Sequence, residues 1–250
     1  MPKKIRADQL LHQLGLAESR EKAKRLIMAG QVFIEHDGTR VPVDKPGQQL
    51  ALETELAVKG GQRWVSRGAY KLLTAIEEFG LDPTGKICLD AGASTGGFTD
   101  VLLQYGAAKV YAVDVGYGQL DQKLRTDPRV VNMERVNMRL AQDDLIPELV
   151  DLVVADVSFI SLTKIMEPCN RFLRPGGEVA ALVKPQFEVG PGQTDKGVVR
   201  DEDLRRQAVD GVVNYLVGTL GLEFVGEVPS KLKGPKGNQE YIVYLRKPVS

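Results

Sequence analysis

Cysteine and histidine are scarce in this chain of 250 residues, with two of each. Cys88 sits in an apolar run and Cys169 in a helix-like stretch, so both read as small core residues of a reducing compartment. Neither has close partners at metal-ligand spacing, so no metal is expected. Long apolar runs are missing too, and nothing approaches the roughly 20 residues that cross a bilayer. The opening MPKKIRADQ is charged and lacks the apolar stretch of a signal peptide. A cytoplasmic chain with no membrane partner is expected. Net charge is also absent, since 33 Lys and Arg balance 33 Asp and Glu. The balance hides an asymmetry: Met1 to Lys71 holds 13 basic and 8 acidic residues, so it carries +5 and the remainder −5. A basic segment on an acidic chain suits a polyanion partner, although on charge alone a solvated face fits equally well.

The first part reads as two short helices followed by strands. Leu10, Leu11, Leu14 and Leu16 form an apolar stripe that ends near Gly15. Ser19 is suited to cap a second helix, Arg20 to Ala29, with Gly30 in the C′ position. Val32-Phe33-Ile34, a turn at His36-Asp37-Gly38 and strand-like pieces to Val58 complete a small α+β module, residues 1–59. A linker is expected over 60–66, around Gly60-Gly61, and a larger domain over 67–250. There, strands alternate with helices, the signature of an α/β sheet covered on both faces. Strands are expected at Lys86–Asp90, Val110–Asp114, Val130–Met133, Leu152–Asp156, Glu178–Val183, Glu223–Val228 and Tyr241–Leu245. Helices are expected at Gly68–Phe79, Phe98–Tyr105, Leu162–Leu173 and Leu204–Leu220. Pro229 to Gln239 is too short for a crossover helix, so the last two strands should pair antiparallel. A seven-stranded mixed sheet of this kind suits a Rossmann-like methyltransferase better than a dehydrogenase.

The loop Asp90-Ala91-Gly92-Ala93-Ser94-Thr95-Gly96-Gly97-Phe98 joins a buried strand to a helix, where open α/β sheets bind ligands. Its glycines, at 92, 96 and 97, do not follow the GxGxxG spacing, and Asp90 would repel a pyrophosphate. An acid there suits the ammonium of S-adenosylmethionine. Asp114 could take two ribose hydroxyls, a role that fits NAD equally well. Asn137 could meet an adenine edge or be an ordinary turn residue.

Asp156 and Lys184 end two further strands on the same rim, while Lys71 enters on a helix and Glu240 begins the last strand. Two lysines and two acids around a sulfonium-bound methyl could deprotonate a ribose 2′-hydroxyl, with a lysine as base and the acids orienting it. Each also has a bland reading as a cap, a loop cation or a solvated side chain.

At these residues the chain resembles the TlyA-type ribosomal RNA 2′-O-methyltransferases, also called hemolysins. The runs that carry the resemblance are WVSRGAYKL (64–72), LDAGASTGGFTD (89–100), VDVGYGQL (113–120), LVVADVSFISL (152–162), LVKPQFEVG (182–190) and GNQEYIVYL (237–245). The first module similarly resembles the S-four RNA-binding domain. The resemblance implies methylation of a ribosomal cytidine, with S-adenosylmethionine as cofactor and the ribosomal subunit as partner. It also implies the Lys–Asp–Lys–Glu tetrad of the FtsJ class at Lys71, Asp156, Lys184 and Glu240. The short end after Leu245 resembles the group associated with the large subunit only.

Arg6, Arg20, Lys22, Lys24 and Arg25 could follow RNA phosphates. Arg67 and the Phe187–Lys196 loop could hold the target nucleotide, the loop acting as a lid or being merely a tolerated insertion. The alternatives are an RNA-binding protein with a non-catalytic methyltransferase fold, a small-molecule methyltransferase and a membrane-lytic protein.

Overall fold

A computed structural model describes residues 4–14, 16–17, 19–36, 39–59 and 64–249, divided into two compact units, Met1–Arg63 and Trp64–Ser250. Gly15, Asp37, Gly38 and Gly60–Arg63, which hold an expected helix end, a turn and most of the linker, lie outside the described residues.

The first unit runs β1 (Lys4–Arg6), α1 (Ala7–Gln13), α2 (Arg20–Met28), β2 (Val32–His36), β3 (Thr39–Pro42), β4 (Gln49–Ala51) and β5 (Glu55–Val58). Ser19 caps α2 by accepting the Lys22 backbone N–H at 3.2 Å. β2 pairs antiparallel with β3 and β5, and β1 with β4. The leading strand β1 corrects the helices-first reading. Three residues are too few for a period, and only the pairing of Lys4, Ile5 and Arg6 with Ala51, Leu50 and Gln49 reveals the strand. Leu10, Leu11, Ile27, Val32 and Leu56 pack into the core between helices and strands.

The second unit runs α3 (Ala69–Phe79), β6 (Ile87–Ala91), α4 (Gly97–Gln104), β7 (Lys109–Asp114), α5 (Gln122–Arg125), β8 (Val130–Glu134), β9 (Val150–Ala155), α6 (Thr163–Phe172), β10 (Leu173–Val183), α7 (Pro185–Glu188), α8 (Glu202–Gly218), β11 (Glu223–Pro229) and β12 (Tyr241–Arg246). The sheet order is β11-β12-β10-β9-β6-β7-β8. From β10 to β8 neighbours are parallel, and β12 lies antiparallel between β10 and β11. The expected mixed seven-stranded sheet is therefore present. Leu152 to Ala155 are buried, as a central strand covered on both faces requires. β10 begins earlier than expected, at Leu173, but it pairs regularly with β9 only from Glu178, because Pro175-Gly176-Gly177 breaks the register. Among the described residues no helix is long and apolar enough to cross a membrane.

Leu152 has no exposed surface in the strand between β6 and β10. Leu152→Ala should lower stability by about 3 kcal/mol, read as a shifted denaturant midpoint at unchanged slope.

Candidate active site

The carboxyl ends of β6, β7, β9 and β10 share one rim, and the turn after β6 brings its backbone against the turn after β9. Gly92 has φ +88°, and a Cβ there would lie 2.9 Å from the Asp156 carbonyl oxygen. Only glycine allows both that conformation and that approach. The N–H groups of Gly92 and Ala93 donate to the Val113 carbonyl at 2.9 and 3.1 Å. Gly92 to Thr95, Gly97 and Phe98 line a cavity on one side, while Asp156, Ser158 and Lys184 line it on the other. Ser66 and Gly68 complete the wall.

Four residues expected at the cofactor lie outside that lining. At Gly96 (φ +93°) a side chain would collide with Leu120 and Leu124, so this glycine serves packing. Asp114 accepts the N–H of Ser94 at 2.8 Å and of Gly116 at 2.7 Å, which ties two loops together. Asn137 caps a 3-10 turn, Met138–Leu140, by accepting the Arg139 N–H at 3.2 Å. Asp90 is fully buried beneath the loop, where Thr99 Oγ1 donates to Oδ2 at 2.6 Å. Its Oδ1 has no hydrogen-bond partner among the described residues. Burial outweighs the Thr99 bond and pushes this carboxyl up to about 7.

The four charged residues meet in an alternating chain. Lys184 Nζ lies 2.5 Å from Asp156 Oδ1, and Lys71 Nζ lies 3.4 Å from Asp156 Oδ2. Lys71 Nζ also lies 2.8 Å from Glu240 Oε2. Lys71, Lys184 and Glu240 are buried. Burial alone would lower the Lys71 pKa, but the carboxylates of Asp156 and Glu240 outweigh it and raise it. Lys71 is therefore held as an ammonium. Lys184 also donates to Ser158 Oγ at 2.7 Å, and Gln186 Nε2 donates to Glu240 Oε1 at 3.2 Å.

Residues 64–247 match the FtsJ-like methyltransferase family, and residues 5–55 match the S4 domain. The chain belongs to the FtsJ-like methyltransferase family. It is 48% identical over 249 residues to the 16S/23S rRNA (cytidine-2′-O)-methyltransferase TlyA of Mycobacterium tuberculosis, covering 98% of this chain and 91% of that protein. It is 33% identical to the 23S rRNA (cytidine-2′-O)-methyltransferase TlyA of Campylobacter jejuni, covering 92% and 94%. A solved structure bearing the hemolysin name, from Streptococcus thermophilus, is 45% identical with a TM-score of 0.75, covering 100% of this chain and 90% of that one.

Beside the cavity of this FtsJ-like chain stands an aromatic pair that sequence reading half found. Phe187, on α7, lies 5.1 Å from Phe159, ring centre to ring centre. Phe159 is 90% exposed and has φ +64°, a conformation that costs a non-glycine residue roughly 1–2 kcal/mol. Ser66, Gly68, Ser158 and Phe159 were not singled out from the sequence. The only signal was their position, just after a strand-end acid or just before the entering helix. At the far end of the expected lid Lys236 Nζ donates to the Lys196 carbonyl at 3.1 Å, and the chain just beyond it is tied to Asn238. Asn238 Nδ2 donates to the Gly197 carbonyl at 2.9 Å, and Val199 N–H donates to Asn238 Oδ1 at 3.1 Å. In the first unit, Arg20, Lys22, Lys24 and Arg25 all lie on α2, with Lys24 paired to Glu21 at 2.6 Å. Arg6 lies on β1, and Arg67 precedes α3 in the second unit. No metal-type group of His, Cys, Asp and Glu occurs among the described residues.

Because the folded pKa of Asp90 lies above its ordinary 3.8, the native state holds an extra proton between that value and about 7. Its contribution to stability is present at low pH and is lost as pH rises through about 7. Asp90→Asn should abolish this decline. Denaturant midpoints at about pH 5 and about pH 8 check it, the wild type losing more stability than the variant between them.

Proposed function

We propose that this protein transfers a methyl group from S-adenosylmethionine to the ribose 2′-oxygen of a cytidine in ribosomal RNA. The observation that carries the reading is the Lys184–Asp156–Lys71–Glu240 chain abutting a glycine-rich loop. The cavity fits the cofactor chemically. Asp156 lines it, Asp90 lies buried behind it with one oxygen unpartnered, and the loop backbone leaves no room for a side chain at Gly92. Carboxylates suit a sulfonium and an ammonium, whereas a pyrophosphate would be repelled. When bound, S-adenosylmethionine would supply an electrophilic methyl group on its sulfonium, whose sulfur is left as a neutral thioether.

Lys71 contacts two carboxylates whereas Lys184 contacts one and lines the cavity, which supports Lys184 as the base. Lys184, having first released its own proton to solvent, takes the proton of the 2′-hydroxyl as the new oxygen–carbon bond forms, and Asp156 stabilises the ammonium that results. Glu240 and Lys71 fix the Asp156 carboxylate in place. Alignment of oxygen, methyl and sulfur accounts for much of the remaining acceleration. Phe159 and Phe187 offer a stacking face for an unstacked base, and stacking is worth about 1–3 kcal/mol. The basic α2, with Arg6, follows RNA phosphates. Cytidine as target is supported by the names of both TlyA relatives, and large-subunit RNA by the 23S that those names share. Such a substrate places the work in the cytoplasm.

Lys184→Ala should abolish transfer of tritium-labelled methyl to separated ribosomal subunits while leaving cofactor affinity within about twofold. Mapping the labelled nucleotide tests cytidine and subunit together, and near-normal turnover by the variant would overturn the role of Lys184. Phe159→Ala should lower kcat/KM by about tenfold, the worth of one stacked base, with cofactor affinity unchanged.

A further inference from the structure

Asp8 is the only fully buried charged side chain among the described residues of the first unit. Arg6 Nε donates to its Oδ1 at 3.0 Å and Arg6 Nη2 to its Oδ2 at 3.1 Å, a fork-to-fork pair. The Gln9 N–H donates to Oδ1 at 3.0 Å, and Arg20 Nη2 stands 3.5 Å from Oδ2. One carboxylate thus joins β1 to the first residue of α2. The two arginine side chains stay 42% and 46% exposed. An arginine has five N–H donors, and the Arg6–Asp8 fork takes two, so each partly exposed guanidinium keeps donors for a second acceptor. Gly47 leaves room for the arrangement, since a Cβ there would lie 3.2 Å from Arg6 Nη1. Burying a carboxylate is costly, and an apolar residue would serve packing at least as well. The expected gain lies outside packing.

We propose that Asp8 is a positioning residue for RNA: it fixes the Arg6 and Arg20 guanidinium groups so that their outer edges receive phosphates together. This rests on the reading of the first unit as the RNA-holding one. Long side chains lose rotamer freedom on binding, and Asp8 imposes that loss before RNA arrives. Electrostatics alone makes the opposite prediction, because removing a negative charge from a basic surface should tighten RNA binding. The sign of the effect separates the two.

The test measures binding of full-length wild type, Asp8→Asn and Arg6→Lys to purified large ribosomal subunits across a potassium chloride series, with melting curves alongside. Asp8→Asn is expected to bind about tenfold more weakly, with a salt slope shallower by about one and a raised KM at unchanged kcat. Equal or tighter binding by a folded Asp8→Asn overturns the proposal. If that variant does not fold, Arg6→Lys decides, since it keeps the charge and Asp8 but cannot form the fork. Weaker binding then supports the proposal and unchanged binding overturns it. A Lys22→Glu, Arg25→Glu double variant separates the two readings. If it binds normally, the RNA role of the first unit fails and this inference falls with it. If it binds weakly while Asp8→Asn does not, only the role of Asp8 falls.

Discussion

Asp156 carries a lysine on each carboxylate oxygen, and in a largely buried site this arrangement constrains four elements at once. Lys71 comes from α3, Asp156 follows β9, Lys184 follows β10 and Glu240 precedes β12. Removing any one of them would strand a charge in low dielectric, which costs several kcal/mol. The antiparallel placement of β12 is what closes the chain. Val183 pairs with Tyr241, so Lys184 and Glu240 leave neighbouring strands at the same rim. A seventh strand running parallel would bring the opposite end of β12 to that rim and leave Lys71 with Asp156 alone. The mixed topology and the charge chain therefore depend on one another.

The same rim explains why the loop after β6 is so restricted. Gly92 lies against the Asp156 backbone, and the Asp156 N–H donates to the Ala91 carbonyl at 3.1 Å. Loop and charge chain are thus one piece of backbone geometry, and a shift in either moves the other. Asp90 contributes from underneath. Its carboxyl lies high in pKa because it is buried with one partner, Thr99, and a cationic ligand nearby would draw it towards ionisation.

The fold was legible because apolar runs ending in Asp90, Asp114 and Asp156 announce buried parallel strands whose carboxyl ends face one rim. The tetrad was legible because its members sit at strand ends and at the entering helix, positions where topology alone brings residues together. What the sequence hid depends on contacts between distant segments. Nothing local distinguishes Gly92, where backbone approaches backbone, from Gly96, where Leu120 and Leu124 fill the space. Ser158 and Phe159 were not singled out because no period marks them. Arg6 and Arg20 read as residues that could follow phosphates, and the sequence does not show that both are held by Asp8. A pairing between residues twelve positions apart leaves no trace in a charge count.

Affinity and specificity must come from different parts of this molecule. In the proposed reading, phosphate contacts along α2 would raise affinity for any RNA and fall with salt, so they would not choose a nucleotide. In the proposed reading the base is met by the exposed ring of Phe159, held against Phe187 in a conformation its backbone resists. Glu188, in the same short helix as Phe187, accepts the Ser161 hydroxyl at 2.6 Å and the Leu162 N–H at 2.7 Å. Those bonds tie α7 to the segment that carries Phe159, and Lys184 immediately precedes that helix. These bonds couple Lys184 and Phe187 to the segment of Phe159, so the stacking face and the proton acceptor proposed above would move together. In the proposed reading a base that stacks there brings its ribose towards Lys184, and because any base can stack, the choice of cytidine needs further contacts to the base edge.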